Sequence, residues 1–451
     1  MKKISIGIFC LTLLTALPAW AGGLLTNTNQ HIDFVRMMAR GASLDIDAVY
    51  SNPAGTAWMR DGWTLSLNNQ SAFQERDIDA TFPLFTTENH TRHYDGKASA
   101  PIIPSLYAVF HKNRWAVQGF FGMVGGGGKC SFDDGLPMFD AIVTGTLAQY
   151  GITPDMYGIG SAVTGRQYIF GGQLGFSYRF NDHFSGHVGF RTNYFSGNYE
   201  GYVVAGLNEP YATALGMQGV NLVNMQLDCD QTGWGITPVI GVNYRWKGLT
   251  LAAKYEFKTN LNIENDTKQR SVQVRGADLD PDIALGDYKH GVNTPSDIPA
   301  YLAVAVGYEF TPRLRAALEY HFFDDKNAEM AGNKQKALSR GTNEVLAGVE
   351  FDINKYITLS CGAQRTDYGL EDDYQSHTSF SCDSWSVGLG GAIHVNGHVT
   401  VNVGYFWTMY QDYDKHMAAA NPGGYCGTTL EGHDTYSRSN KVFGIGVDYK
   451  F

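Results

Sequence analysis

Few residues in this chain have the types and spacings that could do chemistry. Arg191, Lys254, Arg313 and Arg315 stand on the polar faces of stretches where apolar and polar residues alternate. A fixed cation in a wet interior can pair with the carboxylate of an amphipathic acid. Arg191, Lys254 and Arg315 are therefore the candidates for holding an acid head group, although Glu256 and Glu319 lie nearby and are expected to engage most such cations. Covalent catalysis has no comparable footing. No GxSxG or similar nucleophile–base signature occurs, so no catalytic residue is assigned and the chain reads as a non-enzyme. Cys130, Cys229, Cys361, Cys382 and Cys426 are far apart and form no CxxC, which argues against a metal site; no cofactor is expected. These five lie beyond Cys10, which falls in the first 21 residues, and an odd number leaves at least one thiol free, so their pairing stays open.

A second chemical oddity is the run Gly125, Gly126, Gly127, Gly128 within "WAVQGFFGMVGGGGKCSF" (115–132). Four glycines remove every side chain where a strand would pack, and glycine inside a strand marks a bulge or a close backbone approach. The run is either a deformable piece of wall or a flexible lead into a loop. A phosphate cradle would need a strand–GxxxxGK[ST]–helix context, which is missing.

These residues must be positioned by something, and the composition narrows what. The first 21 residues have a basic start, an apolar run and Ala19-Trp20-Ala21, the pattern of a cleaved secretory signal. Glycine and aromatics are abundant while only 17% of residues are charged, which suits a transmembrane β-barrel better than a soluble secreted domain. A net charge of −10 with no basic stripe argues against a nucleic-acid partner.

The dominant period is two. In "HVTVNVGYFWTMY", Val399, Val401, Val403, Tyr405, Trp407 and Met409 share one face. "RLRAALEYHF" and "LTLAAKYEF" alternate in the same way, as a strand between lipid and a wet lumen should. Tight links at "HKNR", "FNDHF", "WKG", "FTPR", "DINK" and "HVNGH" alternate with long stretches near 75–101, 125–165, 196–232, 260–297, 324–342, 368–382 and 411–438. Short turns on one side and long loops on the other are the outer-membrane pattern. The reading is an all-β, antiparallel transmembrane barrel of about fourteen strands over 63–451. The strands start near Trp63, Ile102, Arg114, Arg166, His183, Gly233, Gly248, Ile298, Arg313, Asn343, Lys355, Asp383, His398 and Ser439. The last strand ends on Phe451, resembling the terminal signal read by barrel assembly machinery.

Two long loops carry more apolar surface than water tolerates. Met138, Phe139, Ile142, Val143 and Leu147 recur at helical spacing in one, and Leu215, Met217 and Leu222 stand in the other. They either cover one another as a lid or line a greasy groove.

Residues 22–62 have no strand to join and could fill the lumen as a plug. Within them, "GASLDIDAVYSNPAGTAWM" (41–59) resembles the N-terminal signature of the FadL long-chain fatty acid transporter family, which includes the TodX-type aromatic hydrocarbon channels. Ala42, Asp47, Ala48, Asn52, Pro53, Ala54 and Gly55 carry the match, the last four as the plug motif. The resemblance implies an outer-membrane channel for passive uptake of hydrophobic compounds, with an outer groove, a lumen site and a sideways exit through a kinked third strand. The implied partners are a hydrophobic small molecule, such as a fatty acid or aromatic hydrocarbon, and outer-membrane lipid; a monomer is expected. The alternatives are a diffusion porin and a surface-exposed adhesin barrel, neither of which needs a plug.

Overall fold

The computed structural model describes residue 26 and residues 29–421 and 423–451; the expected signal at 1–21 lies outside them. Alternation between lipid-facing and lumen-facing residues builds a closed antiparallel barrel of fourteen strands. These are β1 (Gly62–Thr81), β2 (Thr91–Lys112), β3 (Trp115–Phe132), β4 (Tyr157–Arg179), β5 (Phe184–Leu207) and β6 (Asn221–Trp246). There follow β7 (Leu249–Glu256, resuming as Asn262–Val274), β8 (Asn293–Pro295, resuming as Tyr301–Thr311), β9 (Leu314–Phe323) and β10 (Thr342–Asn354). The last are β11 (Ile357–Asp367), β12 (Ser384–His394), β13 (Val399–Tyr410, with an outer extension Tyr413–Met417) and β14 (Gly432–Lys450). Closure is made by β1, which pairs with β2 on one side and β14 on the other. The Phe451 N–H donates to Trp63 O at 2.9 Å and finishes the seam.

All six tight links join strands at one end of the barrel. Large apolar side chains such as Leu67, Val117, Leu174, Val188, Leu318 and Leu389 are exposed on the outside, where lipid would cover them. The inner faces are polar and buried, as with Gln118, Asn193, Asn243 and Asn402.

The expected strand starts differ from the observed ones mainly at the other end. β2 begins at Thr91 rather than near Ile102, β4 at Tyr157 rather than Arg166, β6 at Asn221 rather than Gly233, and β14 at Gly432 rather than Ser439. Stretches expected to be loops, such as 75–81 and 91–100, are paired strand. The physical reason is that the outer ends of these strands no longer face lipid. Without an apolar outer face the period-two signal fades while the hydrogen-bonded ladder continues.

Inside the wall lies the segment that precedes β1. It forms two short helices, α1 (Ile32–Arg36) and α2 (Ala48–Ser51), then a 3₁₀ turn at Pro53–Trp58. Nearly every residue from 29 to 57 is buried. Its contacts spread round the wall. The His31 ring meets Ser66 of β1 at 3.0 Å, Gln173 of β4 donates to Val49 O at 2.7 Å, and the Gly41 N–H donates to Glu319 of β9 at 2.7 Å. Arg36 and Arg40 reach Glu350 of β10.

Candidate functional site

The outer half of the barrel holds an apolar cavity. Its walls are the upper ends of β3 to β6 and α3 (Pro137–Ala148), whose first turn is set by Pro137 at a position that needs no N–H. Phe132, Leu136, Met138, Phe139, Val203, Met225 and Tyr288 line it, and about 860 Å³ of space lies between them, part of it open to solvent. Of the expected groove residues, Met138 and Phe139 face this cavity. Ile142, Val143, Leu147, Met217 and Leu222 belong to the apolar cluster that supports it. Leu215 does not join them: it ends helix α4 (Glu209–Leu215) and is 56% exposed. Asp140, on the inner side of α3, accepts from the Tyr94 hydroxyl at 2.6 Å and from Arg92 at 2.5 Å. Burial pushes its carboxyl above the ordinary range against the pull of these two donors.

At the floor of the cavity stands Arg76. Its partner in the β1–β14 ladder is Arg438, directly opposite. Arg76 lies 5.9 Å from the Phe380 ring, while Arg438 lies 4.7 Å from the Tyr410 ring and donates to Phe380 O at 3.5 Å. Like charges facing each other across strands repel, so this pair concentrates positive potential beside apolar surface.

Two residues further down the same inner faces, Gln74 and Asn440 border a second cavity. It is lined also by Gln30, Gln70, Ile103, Met123, Val442 and all four glycines from Gly125 to Gly128. Here the wall itself is broken. The β2–β3 ladder runs from Gly96–Phe132 to Ser99–Lys129, then resumes only at Ser105–Gly122. Residues 100–104 and 123–128 have no partners in that seam. Pro101 and Pro104 offer no N–H to a ladder, and Pro101 and Ile102 bulge out of register with β1. On the opposite strand, β3 slips twice against β4 around Gly125. Gly126 and Gly128 have φ of +108° and +74°, and a Cβ on Gly126 would lie 2.5 Å from Gln167 O. The glycine run is therefore part of a kinked strand that requires glycine at Gly126, and it faces a cavity.

The Asn52–Gly55 turn sits against β3 to β6 toward the tight-turn end of the lumen. Asn52 Nδ2 donates to Ser43 O at 3.0 Å and to Asn243 Oδ1 on β6 at 2.8 Å. Pro53 O accepts from Gln118 at 2.9 Å and from Ser177 at 2.7 Å, and Ala54 O accepts from Ser185 at 2.7 Å. A Cβ on Gly55 would stand 2.6 Å from both Asn52 Nδ2 and Ser43 O. Each letter of the motif thus has its own contact.

The three head-group candidates need correction. Arg191 and Lys254 both bind Glu256, and Lys254 also donates to Tyr50 O at 2.8 Å. Their charges lie under the Tyr50 ring and hold the N-terminal segment in place. Arg315 pairs with Glu350 at 2.8 Å and Asp352 at 3.0 Å. All three are occupied by carboxylates of the chain. Sequence reading missed Arg76 and Arg438 because both fell in stretches taken for loops. Their one signal was a basic residue in each of the two segments flanking the closure.

The five cysteines of the barrel are all unpaired. Burial pushes the Cys382 thiol up to about 12 and that of Cys426 well above its usual range, so neither is a thiolate at neutral pH.

A family model for the outer membrane protein beta-barrel domain matches residues 271–451. No curated protein sequence matches the chain. Among solved structures, a Pseudomonas aeruginosa FadL homologue superposes with a TM-score of 0.67 at 16% identity, covering 95% of this chain and 100% of that one. The Pseudomonas putida toluene transporter TodX gives 0.55 at 14% identity, covering 90% of this chain and 94% of its own. The Ralstonia pickettii toluene transporter TbuX gives 0.54 at 14% identity, covering 97% and 99%. The chain is an outer-membrane β-barrel with the fold of these channels.

Proposed function

We propose that the protein carries hydrophobic carboxylic acids, of the long-chain fatty acid class, passively across the outer membrane. The observation that carries this reading is the alignment of two cavities along β3, an apolar one above and one ending on the unpaired seam below. An acyl chain would settle among Met138, Phe139, Phe132 and Met225, with its carboxylate drawn to Arg76 and Arg438. It would then descend past Gln74 and Asn440 and leave sideways between residues 100–104 and Gly125 to Gly128. Residues 29–58 act as a plug in this scheme, so that the lumen gives no open aqueous path and the exit is through the wall. The N-terminal boundary of that plug is taken at residue 22, after a cleaved signal.

The test is thermal stabilisation of the folded barrel by a long-chain fatty acid, its methyl ester and an aromatic hydrocarbon. Preference for the acid, reduced in Arg438→Met, supports the reading. Equal stabilisation by all three would move the substrate to neutral hydrocarbons. No stabilisation together with a large steady ion current would make the protein a diffusion porin.

A further inference from the structure

The outer extension of β13, Tyr413–Met417, pairs with the outer end of β14, setting Asp414 opposite Thr435 and His416 opposite His433. Asp414 and His416 are two apart on one strand and so share a face, with His433 across from them. The two imidazole rings are stacked at 4.0 Å with an interplanar angle of 1°. Asp414 Oδ1 lies 3.3 Å from His433 Nε2 and accepts from the Thr435 hydroxyl at 2.6 Å, which fixes the carboxylate. Asp414 is 60% exposed and His433 34%, while the His433 Nε2 atom itself is buried and has no hydrogen-bond partner among the described residues. The neighbouring Lys415 points to the other face and donates to Gln375 O, so no ammonium crowds them.

We infer that Asp414, His416 and His433 form a surface site for a borderline divalent metal ion, with Zn²⁺ as its type. Two imidazoles and one carboxylate are the donor set that such ions take, leaving a position for water. Ligands about 2.0–2.1 Å from a tetrahedral ion stand about 3.3 Å apart, which is the present spacing of Asp414 and His433. His416 completes the set by turning its ring out of the stack about its side-chain bonds. The ion would clip the β13 extension to β14 above the apolar cavity. Among the described residues the trio whose three donor atoms already lie within 4.8 Å of one another is a buried one, His31, Asp33 and Asp448. There the guanidiniums of Arg36 and Arg40 already hold Asp33 and the Asp33 N–H donates to His31, so two cations stand where an ion would sit.

The experiment is calorimetric titration of ZnCl₂ into the full-length folded barrel in detergent, with accessible thiols alkylated beforehand. One tight site is expected, lost in His416→Ala and in His433→Ala, weakened in Asp414→Asn, and kept in His183→Ala at the turn end. All variants are first checked for heat-modifiable mobility, and Cu²⁺ paramagnetic resonance on the wild type should report two nitrogen donors. Zinc binding unaffected by either ring deletion, or no binding at all, would overturn the site.

Discussion

Two seams of the same wall behave differently. Between β4 and β5 every residue of a 23-residue strand has a partner, in a single register from Tyr157–Leu207 to Arg179–Ser185. Between β2 and β3 the ladder stops for the length of Ala100–Pro104 and restarts beyond the glycine run. Both seams lie in one barrel and face the same lipid. What separates them is local: prolines that cannot donate on one strand, and glycines at positive φ on the other. An unpaired stretch in a closed sheet thus needs no missing strand, only two short runs that decline to pair.

The largest expected effect comes from forcing the broken seam to hold. A Cβ built on Gly128 lies 3.9 Å from Ala100 Cβ, close to the spacing of a disulfide. Ala100→Cys with Gly128→Cys, in a chain with Cys130→Ser, should cut fatty-acid uptake at least about tenfold, the factor given by a barrier only 1.4 kcal/mol higher. Dithiothreitol should restore it. Uptake that ignores the crosslink would place the exit elsewhere.

A plug deletion distinguishes leakage through the lumen from passage through the wall. Removing residues 29–58 should raise ion conductance sharply while leaving the heat-modifiable barrel and the gap in place. A milder form is Glu256→Gln, which strands Arg191 and Lys254 in the interior and should cost about 3–5 kcal/mol. Its readout is the midpoint of thermal unfolding. An unchanged current on deletion would mean that the segment does not seal the lumen.

A smaller effect is expected from giving β2 its donors back. Pro101→Thr with Pro104→Thr should slow amide exchange in β3 near Gly125 and lower uptake severalfold without weakening ligand binding. The smallest comes from the intact seam. Gly160 of β4 has open space where a Cβ would go, so Gly160→Val should leave uptake unchanged. A loss there equal to that of the proline variant would remove the contrast between the seams.

Much of this architecture was legible in the chain. The alternation in 249–257, 313–322 and 399–409 assigned the lipid and lumen faces correctly, and the six tight turns set the strand order. The Asn52–Gly55 turn was recognisable because each of its residues has a separate steric or hydrogen-bonding demand. Strand length was not legible, because hydrophobic alternation reports contact with lipid and falls silent where strands rise beyond it. The Arg76–Arg438 pair was hidden for the same reason, and because barrel closure joins residues from opposite ends of the sequence. The lumen cations misled: a polar inner face does not say whether a charge waits for a ligand or is already matched, and Glu256 and Glu350 had matched these.

The N-terminal segment has a further consequence, for the order of events during biogenesis. It bonds to strands on all sides of the lumen, and the seam that encloses it ends on the Phe451 N–H to Trp63 O bond. A completed cylinder offers no room to thread a segment of about 30 residues, most of them buried, past tight turns. The segment is therefore expected to enter before the seam closes, with the sheet completed round it. Barrels that seal without it would be expected to stay empty, however long they are given.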